Sequence, residues 1–416
     1  MDCPDSRHAQ QRVSHYNLAT WQHHDMSHSF PHSALLAFSL AALTFLGCSH
    51  TPIQKTKSAS WAFAVAGDSR DCGNVVMPAI ADGARRDNAV FFWHLGDLRA
   101  IYRVDEDFAR EKRFRQFLQP PGITDYVREA WTDFTLHQVV PFGQMPFYLG
   151  IGNHETIPPK TVGQYRMQFR SLLDRPELRA QRARDLSITA IPRSAADQTY
   201  FHWVQGGVDF ITLDNASADA FDDVQLVWFD AVLAADRANA EIKSIVVGMH
   251  EALPYSKSDS HSMCSTMGGI QSGLHVYSKL VETQRSKSVY VLASHSHYYL
   301  ADIFNTAHWH DASIPGGVLP GWVVGTAGAE RYPLPPGTAS GPNAREHTYG
   351  YLIGSVAADG HITFAFRELT EADLQRSRSD DIAEDTVTSC VVNNPTIEAM
   401  HARTSGGSQC ELHMAR

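Results

Sequence analysis

The chain has 416 residues, with 35 Lys plus Arg against 45 Asp plus Glu and a formal charge of −10. Hydrophobic residues make up 43% and charged residues 19%, which excludes a disordered or collagen-like chain. The acidic balance argues against a general nucleic-acid binder, which needs a basic face, but a metal site supplies local positive charge for an anionic substrate. Six cysteines are too few for a disulfide-built scaffold, whereas 22 histidines point toward metal ligation or acid–base chemistry.

Residues 34–47 (ALLAFSLAALTFLG) form an uncharged run of fourteen, followed directly by Cys48. That run is short for a membrane span and suits the apolar region of a signal peptide. The small residue before Cys48, and the polar Ser49-His50-Thr51 after it, resemble a bacterial lipoprotein cleavage site. The expectation is an export segment at 1–47, with Met26 as a candidate start, and a linker at 48–60. The body would then reach the periplasm or cell envelope, with a lipid anchor on Cys48 as a membrane contact. Loss of the leader leaves Cys72, Cys264, Cys390 and Cys410 to pair in an oxidising compartment, with three pairings open.

Along the body, short apolar runs read as buried strands at 61–67 (WAFAVAG), 89–95 (AVFFWHL), 146–151 (PFYLGI), 245–249 (IVVGM) and 289–293 (VYVLA). Two hairpins are expected, at 200–213 around Gln205-Gly206-Gly207 and at 349–366 around Asp359-Gly360. The clearest helix follows Asp222-Asp223, with a stripe of Val224, Val227, Trp228, Ala231, Val232 and Ala235. Weaker helical patterns lie at 105–118, 126–138, 160–175 and 272–287. Residues 370–416 turn polar and read as a C-terminal tail, leaving one α/β domain over 61–369.

Potential metal ligands stand just past five of these strands: Asp68, Asp97, Asn153 with His154 and Glu155, His250, and His295 with His297. In α/β folds the carboxyl ends of strands are where sites assemble. Aspartate oxygens with histidine nitrogens suit Mn, Fe or Zn better than Ca. One carboxylate can bridge two ions, and such a pair lowers the pKa of a bridging water and clamps the oxygens of an in-line displacement at phosphorus.

The order GD…GD…GNHE…H…HxH resembles the calcineurin-like metallophosphoesterase superfamily, over roughly residues 61–367. The segment Phe210–Asp214, Gln225 with Trp228, and Tyr349-Gly350-Tyr351 fall where that family has similar stretches. The resemblance implies a two-sheet β-sandwich flanked by helices and an exported phosphoesterase with two divalent ions. Asp68, Asp97 and His297 would hold one ion. Asp97 would bridge, and Asn153, His250 and His295 would complete the second. His154 would protonate the leaving group, with Glu155 orienting it. The substrate would be a phosphorylated small molecule or macromolecule.

Three departures from that pattern bear on the chemistry. The family has Asp-x-His at its first motif, where this chain has Asp68-Ser69-Arg70. Arginine has no lone pair for a metal, so Arg70 is expected to hold a phosphate oxygen instead. Purple acid phosphatases also lack that histidine but carry a tyrosine at the position of Ala100; Tyr102 is out of register here. Ser294 stands where the family has glycine. His94, inside an apolar strand, reads as a core histidine, and His308-Trp309-His310 is a weaker second HxH. The alternative to an enzyme is a surface lipoprotein that keeps the fold for binding while Arg70 disables its site. The loops 99–145, 156–199 and 251–272, which would set specificity, carry no readable pattern.

Overall fold

The computed structural model describes residues 60–392 and Cys410, apart from 116, 118–120, 189, 259–260 and 312–316. The export segment, the linker up to residue 59 and Cys48 therefore lie outside the described residues, as does most of the chain beyond 392. Among the described residues twelve strands run in chain order: β1 Trp61–Ala66, β2 Ala89–His94, β3 Phe147–Leu149, β4 Phe201–Gln205, β5 Val208–Thr212, β6 Ser244–Gly248, β7 Ser288–Ala293, β8 Tyr299–Ala301, β9 Gly321–Val324, β10 Ala344–Arg345, β11 Gly350–Val356 and β12 Ile362–Glu368. They form two mixed sheets, ordered β12-β11-β1-β2-β3 and β10-β8-β9-β7-β6-β5-β4. β1, β2 and β3 are parallel, as are β5, β6, β7 and β9, and the antiparallel strands flank them.

The inner faces of the sheets meet through aromatic side chains. Phe63 of β1 meets Phe210 of β5 edge-on at 4.9 Å between ring centroids, and Tyr148 of β3 stacks on Trp203 of β4 at 3.8 Å. Aromatic pairs of this kind add about 0.5–1.5 kcal/mol each beyond the area they bury. Helix Gly73–Arg86 covers the outer face of the first sheet, and helices Asp223–Ala238 and Met267–Gln284 cover the second. The chain is thus an α/β two-sheet sandwich flanked by helices, the class its sequence implied.

The helices differ from the sequence expectation in instructive ways. Helix Asp223–Ala238 starts at the expected cap, where the Asp222 carboxylate accepts the Gln225 N–H at 2.8 Å. Val227, however, faces solvent, and Phe229 and Leu233 are buried in its place. The described residues of the 105–118 stretch form only the single turns Glu106–Ala109 and Lys112–Phe114, and 160–175 breaks into Val162–Gln168 and Arg170–Leu173. Residues Glu371–Ser377 and Glu384–Val392, read as part of a polar tail, are helices whose Leu374, Val387 and Cys390 join the main core. A few apolar side chains among polar neighbours suffice to dock them, and His137, between Asp133 and Asp381, ties the intervening turn down. Disulfides join Cys72 to Cys390 and Cys264 to Cys410, one of the three pairings the sequence left open. The first holds helix Glu384–Val392 against the start of helix Gly73–Arg86.

Candidate metal centre

The parallel strands of both sheets end on one rim, and the loops there are stitched together by backbone bonds. Gly67 N–H donates to Val324 O at 3.0 Å, Asp68 N–H to Gly96 O at 2.9 Å and Ser69 N–H to Asp97 O at 2.9 Å. Three rim residues, Asp68, Asp97 and His295, sit in the left-handed region at φ 61°, 60° and 65°. For a non-glycine residue that conformation costs about 1–2 kcal/mol, and such strain concentrates where side chains must be aimed. Gly152, the residue before Asn153, allows the close approach. A Cβ there would lie 2.3 Å from Asp97 Oδ1 and 2.4 Å from the Asp97 nitrogen.

His94 is the core histidine its sequence context suggested. It is fully buried; its Nδ1 accepts the Gly96 N–H at 3.1 Å, and its Nε2 lies 2.9 Å from Ser69 Oγ. Burial pushes its pKa down to about 3, so it is a neutral strut between the two GD turns.

Asp68, Asp97, His250 and His295 each offer a donor atom within 4.8 Å of all the others. His250 shows what the cluster requires. Its Nδ1 lies 3.1 Å from Leu95 O, to which it donates, and 3.1 Å from Ser294 Oγ. The Nε2 then faces Asp97 Oδ1 at 3.3 Å and Asn153 Oδ1 at 3.1 Å. A nitrogen lone pair and two acceptor oxygens converge, so a proton or a metal cation must stand among them. Burial opposes the charged ring, but Asp97 raises the His250 pKa to about 10 when a proton takes that place. Ser294, in the position where glycine was expected, donates its hydroxyl to Leu95 O at 3.1 Å and so helps fix the ring. Asp97 Oδ2 and His295 Nδ1 are buried and make no hydrogen bond, and Asp68 Oδ1, equally buried, has only His297 Nε2 beside it at 3.3 Å. Orphaned acceptors at this depth are costly unless a cation uses them, so the donor set fits a divalent ion.

The remaining candidates fall on either side of this cluster. His154 donates from Nδ1 to Ala100 O at 2.8 Å, leaving Nε2 3.6 Å from Asp97 Oδ2. Burial lowers its pKa, against the pull of Asp97. Glu155 is not the group that orients this ring. Its carboxylate instead accepts backbone N–H groups of Asp97, Leu98 and Gly152 at 3.0, 2.9 and 2.8 Å, clamping the second GD turn. Burial and nearby Asp97 push its pKa up to about 8, while two of those N–H groups, on Leu98 and Gly152, pull the other way. The loop carrying Ala100 is itself pinned by buried Arg99, which pairs with Asp105, Asp107 and Asp133 at 3.0, 3.0 and 2.5 Å.

His297 is not one of the four clustered donors but adjoins Asp68 at their edge. Its Nε2 is 3.3 Å from Asp68 Oδ1 but also 3.2 Å from Arg70 Nη2. Arg70 is 5% exposed and reaches Glu330 at 2.7 Å. Glu330, Asp71, Arg103 and Tyr332, whose ring lies 4.0 Å from that of His297, had no sequence signal beyond standing after a strand or beside a motif residue. Tyr102 lies over His154 at 5.4 Å. His310 bonds Asn305 in the short helix Ala307–His310, and neither it nor His308 belongs to the cluster. Glu111, Asp133 and His137 form a second set of potential ligands, but Arg113, Arg99 and Asp381 already pair with them. A cavity of about 740 Å³ lined by Arg166, Arg170, Arg179 and Arg182 contains none of the candidate ligands.

No family model matches the sequence, and no curated protein matches it. Among solved structures, the chain is similar to purple acid phosphatase PPD1 from yellow lupin (Lupinus luteus) seeds. That pair is 15% identical with a TM-score of 0.48, covering 76% of this chain and 55% of the lupin chain. It is similar to PhoD at 13% identity and a TM-score of 0.44, covering 81% of this chain and 78% of that one. A dimetal phosphatase from Danio rerio follows at 12% identity and 0.40, with coverage of 74% and 98%. This chain thus spans little more than half the length of the lupin protein. At these levels of identity the likenesses assign it no activity.

Proposed function

We propose that this chain is a metal-dependent hydrolase of phosphoric esters, of the calcineurin-like metallophosphoesterase kind. The observation that carries this reading is the convergence of Asp97 Oδ1, Asn153 Oδ1 and His250 Nε2, beside buried Asp97 Oδ2 and His295 Nδ1 with no hydrogen bond. A divalent ion held there supplies Lewis acidity and a water of lowered pKa for attack at phosphorus. The chain's own groups do the rest. Arg70 presents a fixed cation to phosphate oxygens, and His154 Nε2 stands outside the ligand set, where it can give a proton to the leaving oxygen. Glu155 and the Arg99 ion-pair hub hold the turns that carry Asp97 and Ala100, and so keep His154 aimed.

The two disulfides suit an oxidising compartment, in keeping with export directed by 34–48. Among the described residues no helix is long and apolar enough to cross a membrane; the membrane contact proposed from the sequence is a lipid on Cys48. The second reading, a binding protein with a disabled site, draws on one observation: Arg70 occupies the His297 nitrogen that a metal would use.

The test is hydrolysis of a chromogenic phosphomonoester and a phosphodiester by the purified chain, before and after chelation. Activity that chelation removes and Mn²⁺, Fe²⁺ or Zn²⁺ restores supports the enzyme. A chain that takes up metal and phosphate yet turns over neither ester, nor any member of a wider phosphoester panel, is the binding protein.

A further inference from the structure

The two halves of the centre satisfy their histidines in different ways. On the Asn153 side, the His250 Nε2 lone pair faces only acceptors. On the Asp68 side, His297 Nδ1 donates to Glu330 O at 2.7 Å, so its Nε2 also carries a lone pair. That lone pair also faces an acceptor, Asp68 Oδ1 at 3.3 Å, but unlike that of His250 it accepts a hydrogen bond from a fixed cation, Arg70 Nη2 at 3.2 Å. The same guanidinium reaches Glu330 at 2.7 Å, Asp71 at 3.7 Å and, through Nε, Asp97 Oδ2 at 3.9 Å. Arg103 bonds the same two carboxylates, Asp71 at 2.7 Å and Glu330. Two guanidiniums and two carboxylates thus alternate in a closed ring that holds Arg70 in place, and Arg70 remains protonated at any working pH.

We propose that Arg70 takes the place of a second metal ion. The centre then holds one divalent cation, on Asp97, Asn153, His250 and His295 with Asp68 beside them. The Arg70 guanidinium supplies the other positive charge and binds phosphate oxygens through its fork of N–H groups. His297 is the acceptor that aims this fork and not a metal ligand. One divalent ion balances Asp68 and Asp97, and the ring of Arg70 and Arg103 with Asp71 and Glu330 is neutral overall, so Arg70 meets an anion through its directed N–H groups and not through an excess of charge. The inference rests on the proposed metal-dependent function and specifies how that site is built.

Calorimetric titration of the chelator-stripped full chain with Zn²⁺, checked by elemental analysis after dialysis, tests it. The wild type is expected to bind one equivalent, and His297→Ala is expected to keep that equivalent with affinity changed less than about tenfold. Arg70→His restores a neutral nitrogen ligand and is expected to bind two. Inorganic phosphate should bind the one-metal wild type at least about tenfold more tightly than Arg70→Ala, as loss of a charge-assisted pair requires. Two tight equivalents in the wild type, or loss of the single equivalent in His297→Ala, overturns the proposal while leaving a metal enzyme standing. No bound metal in the wild type overturns the proposed function with it.

Discussion

Asp97→Asn is expected to lower phosphoester hydrolysis by on the order of 1,000-fold or more, about 4 kcal/mol of barrier, while the chain stays folded. The carboxylate is fully buried. Its Oδ1 accepts the His154 N–H at 3.0 Å and faces His250 Nε2, and its Oδ2 makes no hydrogen bond. Asparagine is isosteric and tolerates the left-handed backbone at φ 60°, and its carbonyl can keep the bond to His154. What it lacks is the negative charge, and its amide group would meet either the cation or the Arg70 Nε, now 3.9 Å from Oδ2. Metal content should fall with the rate, and the circular dichroism spectrum should not change. His250→Ala should behave the same way, because it removes the nitrogen on which the acceptor oxygens converge. Near-normal turnover in either variant, with metal retained, contradicts the assignment.

His154→Ala is expected to separate metal binding from chemistry. The ring contributes no atom to the clustered donors, and its Nδ1 is committed to Ala100 O, so only Nε2 is free to handle a proton. Metal content should match the wild type. Hydrolysis of esters with poor leaving groups should drop by about 100- to 10,000-fold, the range for a positioned acid. The deficit should shrink as the leaving group improves, toward less than about tenfold for a nitrophenolate, which departs without a proton. A uniform loss along a leaving-group series would mean that the ring serves only to position Asp97, whose Oδ2 lies 3.6 Å from its Nε2.

The strand ends were legible because each ligand-bearing strand is a short apolar run closed by a polar or glycine turn. β1, β2, β3, β6 and β7 therefore declare themselves, and with them Asp68, Asp97, Asn153, His250 and His295. Helix Gly73–Arg86, which packs behind the first turn, did not. It contains Pro78 and Gly83 and is buried along most of its length, so no polar face marks its period. Gly83 is where it meets the sheet, since a Cβ there would lie 2.5 Å from the Tyr351 hydroxyl oxygen. β9 begins at Gly321 directly after Pro320, in a Gly- and Pro-rich stretch that reads as turn. Missing it hid Glu330, which follows it in sequence, and so hid the partner that fixes Arg70. The sequence identified Arg70 as a departure from the expected motif; its ring with Glu330, Asp71 and Arg103 depends on how the strands are ordered across the sheets. The role expected of Glu155 failed for a related reason. Adjacency to His154 suggested a contact with that ring, but the turn at Gly152 sends the carboxylate toward the backbone of Gly152, Asp97 and Leu98.

The central claim is that these side chains form a metal centre, and anomalous diffraction from crystals of the full chain soaked in Zn²⁺, recorded on either side of the zinc edge, tests it most directly. The expected result is one strong peak within bonding distance of Asp97, Asn153, His250 and His295. Absence of density there, or zinc only at Glu111, Asp133 and His137, would contradict the account.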